Sequence, residues 1–194
     1  MTAIIAVATD EFVVLAGDKR ATYLNRKGYR DDESKLYRIN QEVVMGTSGH
    51  IHVTAECIEF LQSQHLEKAT VQGVALKVRQ FFRRKLKEEE NISKIVILAG
   101  IGDGNKITVI NMHHEDDFKF GYFIPTDDEY HTVISVPQYD FHDYLDKAID
   151  EVDQEEDINI NNVSEVLTKT IKHVSEHDSS VSAESDIAFI KKNK

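Results

Sequence analysis

Cysteine is nearly absent from this chain of 194 residues, where Cys57 stands alone. A disulfide framework is therefore excluded, and so is a zinc site built on cysteines. Long apolar runs are missing too. None approaches the ~20 residues that a helix needs to span a bilayer, and no charged-then-apolar leader precedes Thr2. A cytoplasmic protein without a membrane partner is the expectation. Positive charge is scarce: 23 lysines and arginines face 34 acidic residues, a net charge of -11. Such a surface repels phosphate backbones and argues against nucleic acid as a ligand. With 41% hydrophobic and 29% charged residues, the composition is that of a folded globular protein. No linker, repeat or low-complexity segment divides residues 1–194, which read as one domain.

What is present starts at the N-terminus. Met1-Thr2-Ala3 carries a small second residue, of the kind whose initiator methionine is trimmed. Removal of Met1 would give Thr2 a hydroxyl nucleophile and an α-amine on adjacent atoms. β-rich runs at 3–8 and 12–16 follow, joined by the turn Asp10-Glu11, and the second ends in Gly17-Asp18-Lys19-Arg20-Ala21-Thr22. A hairpin of this length returns its second end beside its first, which brings Asp18 near Thr2. That arrangement suits N-terminal nucleophile chemistry, in which the chain's own amine is the base for the threonine hydroxyl.

Further along, 35–40 and 42–45 read as a second hairpin. Gly46-Thr47-Ser48-Gly49 is expected to break the strand and lead into a helix from about His50 to Leu66. Val71, Val74, Ala75, Val78, Phe82 and Leu86 recur at helical spacing. Strands are expected at 94–99, 107–112, 118–124 and 131–135. Stripes headed by Phe141 and Val163 mark two more helices, the second opened by Asn162 and Glu165 as a capping box. A strand at 186–190 closes the chain. Strands, two helices, strands, two helices and a strand make an α+β domain with segregated layers.

Other clusters carry weaker signals. Gly100-Ile101-Gly102-Asp103-Gly104 superficially suggests a phosphate loop, but a strand follows where nucleotide binding needs a helix N-terminus. A hairpin turn is the better reading. His113-His114-Glu115-Asp116-Asp117 reads as a solvated turn rather than a metal site, because strand neighbours point to opposite faces. His50 and His52 read as a surface helix start. Arg79, Arg83, Arg84, Lys85 and Lys87 form a basic helix face, with a partner-binding patch as the alternative.

Thr2, an aspartate sixteen positions on at Asp18, and Arg20-Ala21-Thr22 stand in register without a gap. With Lys35 opening the strand in Ser34-Lys35-Leu36-Tyr37, and Gly46 in Met45-Gly46-Thr47-Ser48-Gly49, they make the chain resemble the proteasome β-subunit family. That family includes the bacterial HslV-type peptidases, and the resemblance runs along nearly the whole length. It implies that Lys35 rather than Lys27 is the catalytic lysine, after a loop longer by one residue. It also implies that Gly46 donates to the oxyanion, and that Ser135 and Asp178 help hold the nucleophile. Asp178 stands eight residues before Asp186, as the family's spacing requires. Where the family has glycines flanking its serine this chain has Ile134 and Val136, and the second serine of the family's Asp-x-x-Ser segment is Val181. Ser180 and Ser182 are the substitutes at hand.

The same resemblance implies a four-layer αββα sandwich, two antiparallel sheets between helix layers, the N-terminal nucleophile hydrolase fold. Thr22, Thr47 and Ser48 would line a cleft in which a peptide pairs as an added strand. The implied activity is a threonine-type endopeptidase acting on peptide or unfolded protein, with no cofactor and no metal. A homo-oligomeric ring is implied, with an AAA+ ATPase as a partner. The basic second helix and the acidic segment 150–157 are candidate contacts within it. Two other readings stay open: a non-catalytic relative kept for assembly or binding, which Val181 favours, and an amidase for small molecules.

Overall fold

The first eighteen residues contain two runs that are apolar on both faces, and this decides the architecture. In the computed structural model β1 (Ile4–Ala8) and β2 (Phe12–Asp18) are buried at every position. The structure describes residues 2–22, 28–89, 93–126, 130–135, 139–155 and 158–193, the side chains of Ile134, Ser135 and Glu155 excepted. The turn between β1 and β2 is closed by Thr9, whose N–H donates to Phe12 O at 2.9 Å and whose hydroxyl oxygen accepts the Phe12 N–H at 3.2 Å.

Two short strands, β3 (Ala21–Thr22) and β4 (Tyr29–Arg30), pair beside the hairpin. Next come β5 (Leu36–Arg38) and β6 (Val43–Gly49), then helices α1 (Ile51–Gln62) and α2 (Val71–Glu88). Three strands follow, β7 (Lys94–Ile101), β8 (Ile107–His113) and β9 (Gly121–Phe123), then β10 (His131–Ser135). Helices α3 (His142–Glu155) and α4 (Ile160–His177) precede β11 (Ser185–Lys191). One antiparallel sheet has the order β10-β1-β2-β11 and the other β5-β6-β7-β8-β9.

Alternation along the strands builds three apolar layers. Ile5, Val7, Val14 and Ala16 pack against Leu145, Ile149, Leu167 and Ile171 of α3 and α4. Ile4, Ala6, Val13 and Leu15 face the second sheet at Val44, Ile97, Ala99 and Val109. The other face of that sheet packs Val96, Leu98 and Ile110 against Val53, Cys57, Val74, Val78 and Phe82 of α1 and α2. Each fully buried aliphatic side chain contributes about 1.5–3 kcal/mol. The fold is thus the four-layer α+β sandwich expected from the sequence. Among the described residues no helix is long and apolar enough to cross a membrane.

Local boundaries differ in places. β6 does not break at Gly46: Gly46, Thr47 and Ser48 pair with Ile97, Val96 and Ile95, and the strand ends at Gly49. α1 stops at Gln62 rather than Leu66, because Ser63 N–H caps it on Glu59 O and Phe60 O and His65 takes a left-handed φ of 53°. β9 is shorter than 118–124, since Asp117 and Phe118 both have φ of 53° and turn the chain first. The cap of α4 is Asn159, whose side chain accepts the N–H groups of Asn161 and Asn162, so the helix opens before the expected Asn162–Glu165 box. α3 continues through Asp153 to Glu155, and 156–157 lie outside the described residues. Gly100 and Ile101 still pair in β7, and the hairpin turn to β8 spans 102–106, while 114–117 make a tight turn after β8.

Candidate active site around Thr2

Register brings the first residues together. The β1–β2 ladder continues one step past Ile4 and Gly17, where the Asp18 N–H donates to Ala3 O at 3.0 Å. The Ala3 N–H donates in turn to Asp18 Oδ2 at 2.8 Å. Asp18 is fully buried, and its Oδ1 accepts the N–H groups of Arg20 at 2.8 Å and Ser182 at 3.3 Å. Backbone donors converging on one carboxylate fix its orientation.

Lys35 enters this pocket just before β5 and is only 6% exposed. Its ammonium donates to Thr2 Oγ1 at 3.0 Å, Asp18 Oδ2 at 3.2 Å and Arg20 O at 2.7 Å. All three of its N–H groups are thereby used. Burial pushes the Lys35 pKa below the ordinary lysine value, and the Asp18 carboxylate opposes that shift. A cation held against a threonine hydroxyl stabilises the alkoxide that forms when the oxygen loses its proton.

The cleft beside Thr2 has a volume of about 1370 Å³ and is lined by Thr22, Lys35, Thr47, Gly49 and Asp178 among others. Ser48 does not line it, since neighbouring strand residues face opposite ways. Thr47 is buried, with its hydroxyl 3.3 Å from that of Thr54. His50, the residue before α1, and His52 in its first turn both border the cleft. Arg20 pins the rim. Its guanidinium clamps Asp31 at 2.8 and 2.7 Å, donates to Ser179 O at 2.6 Å and lies 3.8 Å over the Tyr29 ring. The Arg20 hydrogen bonds hold Asp31 below the usual carboxylate range.

Gly46 is in a different position from the one its expected role needs. It is buried in the middle of β6, and a Cβ there would sit 2.9 Å from Ile4 Cγ2. The Thr47 N–H donates to Lys35 O at 3.0 Å, so alternation turns the Gly46 N–H to the other side, toward β7. Two residues past Thr47, the Gly49 N–H turns to the same side as that of Thr47. There β5 has already ended and the cleft lies open. Gly49 has φ of +97°, and its missing Cβ would lie 2.0 Å from Ser93 O, so only glycine fits.

At the other wall, Asp178 closes α4 and its Oδ1 accepts the Ser180 N–H at 2.9 Å and the Ser180 hydroxyl at 2.6 Å. Val181 turns into the apolar layer under α4, while Ser182 sends its N–H to Asp18. The backbone of Ser135 pairs with Ile4. Its side chain, like Met1 and Lys27, lies outside the described residues.

Residues 2–107 match the family described as proteasome subunit. The chain belongs to that family. Among solved structures, this proteasome-family chain is similar to eukaryotic HslV from Trypanosoma brucei, at 16% identity and a TM-score of 0.63, covering 97% of this chain and 99% of that one. It is also similar to the Gly-1 mutant of Anbu from Hyphomicrobium sp. strain MC1, at 14% identity and a TM-score of 0.72, covering 99% and 83%. Anbu from Yersinia bercovieri, an ancestral β-subunit, gives 13% identity and a TM-score of 0.72, covering 97% and 81%. At such identities the likeness is one of fold. A comparison with curated protein sequences finds no match.

Two residues of this proteasome-family site escape a reading of the sequence. Gly49 was legible only as part of a glycine turn, and the open side of β6 singles it out. Lys94 heads β7 and is 1% exposed, although lysine at a strand start normally faces water. The signal for it is a lysine directly before the fully apolar stretch 95–99.

Proposed function

We propose that the chain is a cytoplasmic threonine-type endopeptidase whose nucleophile is Thr2, freed by removal of Met1. The contact of the Lys35 ammonium with Thr2 Oγ1, with Asp18 behind it, is the observation that carries this reading. The hydroxyl attacks the peptide carbonyl, a C–O bond forms, and the proton passes to the α-amine, whose ordinary pKa of about 7.7–8.0 suits base work near neutral pH. The amine returns the proton to the leaving nitrogen as the C–N bond breaks. Water then hydrolyses the ester on Thr2 by the same route. In this mechanism the oxyanion takes the Gly49 N–H, a kind of donor whose loss costs about 3–4 kcal/mol.

Substrate is peptide or unfolded protein. The cleft's volume exceeds the roughly 300–1,000 Å³ typical of small-molecule sites, and the short edge strand β3 offers main-chain partners for an added strand. Thr22 and Thr47 line that path. Asp178 and Ser180 line the wall of the cleft, and Ser135 and Asp178 help hold the nucleophile. Copies of the chain assemble into a ring that works with an AAA+ ATPase. Such rings need two different patches on each subunit. Ile187 and Phe189 are exposed on the β11 edge, and Tyr122 and Ile124 at the opposite, β9 edge. The basic face of α2 is less available than its sequence suggests, because Arg83 pairs with Asp117, and Lys85 with Glu56 and Glu88. Hydrolysis of fluorogenic peptides by the native protein tests the proposal. Thr2→Ala is expected to abolish it, and turnover that survives in this variant would refute the nucleophile.

A further inference from the structure

Lys94 is the buried charge that the proposed chemistry leaves unused. Its ammonium donates to His50 O at 3.1 Å and to Thr54 Oγ1. The other groups around it are the Cys57 thiol of α1, the Phe82 ring of α2 at 6.0 Å and, at longer range, the Lys35 ammonium. Among the described residues no carboxylate pairs with it. Burying an unpaired cation is unfavourable, and a methionine of similar length would fill the same space without that penalty. Its location therefore calls for an account beyond packing.

Both ends of Lys94 hold one short turn. Its Cα is the ladder partner of Gly49, and its ammonium takes the carbonyl of His50, the next residue. His50 precedes α1 without a side-chain cap, and its carbonyl oxygen is shared between the Lys94 ammonium at 3.1 Å and the Thr54 N–H at 3.2 Å, the first bond of the helix. The Thr54 hydroxyl links the ammonium to Thr47, whose N–H is bound to Lys35 O. A continuous polar path thus runs from Lys94 to the backbone of the lysine that contacts Thr2.

We propose that Lys94 is a positioning residue for the oxyanion site, its ammonium locking the His50 carbonyl so that the Gly49 N–H points into the cleft. The inference rests on the peptidase reading above. It is specific to one electronic demand. A peptide aldehyde binds by adding Thr2 Oγ to its carbonyl carbon as the hydroxyl proton passes to the α-amine, which leaves the former carbonyl oxygen as the anion that the Gly49 N–H stabilises. A vinyl sulfone of the same peptide adds Thr2 Oγ to the alkene carbon joined to the peptide, β to the sulfone. The charge then develops on the carbon beside sulfur, which takes up the proton, and no carbonyl oxygen becomes anionic.

The test compares native protein with Lys94→Met and Lys94→Arg, reading vinyl sulfone labelling of Thr2 and the protection that the aldehyde gives against it. In Lys94→Met the aldehyde is expected to weaken by at least about tenfold, while the labelling rate stays within about twofold. Lys94→Arg is expected to restore much of the aldehyde affinity, since it keeps the charge and the donors. Equal losses with both probes would mean a packing role only, and no loss with either would mean that the ammonium is dispensable; each overturns the inference. A native protein that neither probe modifies or protects would instead overturn the peptidase reading, and this inference with it. Should Lys94→Met fail to fold, Thr54→Val removes one of the ammonium's two acceptors and must show the same split between probes.

Discussion

Replacing Asp18 by asparagine separates the jobs of its two carboxylate oxygens. Oδ1 accepts the Arg20 and Ser182 N–H groups, and Oδ2 accepts the Ala3 N–H and the Lys35 ammonium. An amide oxygen at the first position keeps its two donors, but the NH2 at the second then faces two donors. Lys35 is left as a buried cation with only Thr2 Oγ1 and Arg20 O for partners. Breaking a buried pair in this way is expected to destabilise by about 3–5 kcal/mol. Lys35→Met is milder, at about 1–3 kcal/mol, because Asp18 keeps three N–H donors and the other two oxygens that lose one, Thr2 Oγ1 and Arg20 O, are uncharged. In the double variant the unpaired cation is gone and the Ala3 N–H alone faces a donor. The double change should therefore cost about 2 kcal/mol less than the sum of the single ones. Urea unfolding at neutral pH measures all four proteins, with the slopes compared to confirm a common unfolded state. Additive effects, or a Lys35→Met cost above that of Asp18→Asn, would refute the proposed division of partners.

Two further outcomes follow from the glycines and from Lys94. Gly49→Ala meets both a left-handed φ of +97° and the Ser93 carbonyl, whereas Gly46→Ala keeps an ordinary φ and meets the Cγ2 methyl of Ile4. Thermal melts should show a loss above about 3 kcal/mol for the first and about 1–3 kcal/mol for the second, and equal shifts would contradict the placement. Burial pushes the Lys94 pKa down to about 7 from an ordinary 10.5. Between those values the unfolded chain binds more protons than the folded one, so this group makes stability rise with pH across the window and is most unfavourable below it. The stability of Lys94→Met relative to the native protein should thus be greatest near pH 6 and shrink toward pH 10, by about 5 kcal/mol at most. A difference that stays flat with pH would show that the lysine is not desolvated.

Much of the fold was legible because burial on both faces leaves its mark in composition. Runs such as Ile4–Ala8 have no polar position, and only a sheet covered on two sides accepts them. The approach of Asp18 to Thr2 was equally legible, since a two-stranded hairpin brings its ends together. The proposed oxyanion donor was not. Which N–H leaves a ladder depends on how far the neighbouring strand reaches, and nothing around Gly46 announces that β5 begins only at Leu36. The start of α4 was not legible locally: Asn159, Asn161 and Asn162 are all chemically able to cap, and it is the side chain of the first that accepts the N–H groups of the other two. Lys94 became buried because α1 lies over the start of β7, a long-range contact that no local pattern encodes.

The claim on which the rest depends is that Thr2 is a free N-terminal nucleophile. Intact-mass measurement of the native protein, before and after treatment with a peptide β-lactone, tests it most directly, with peptide mapping to locate any adduct. The expected result is a chain that lacks Met1 and gains a single acyl group on Thr2, lost in Thr2→Ala. A chain that keeps Met1 and takes up no acyl group would contradict it.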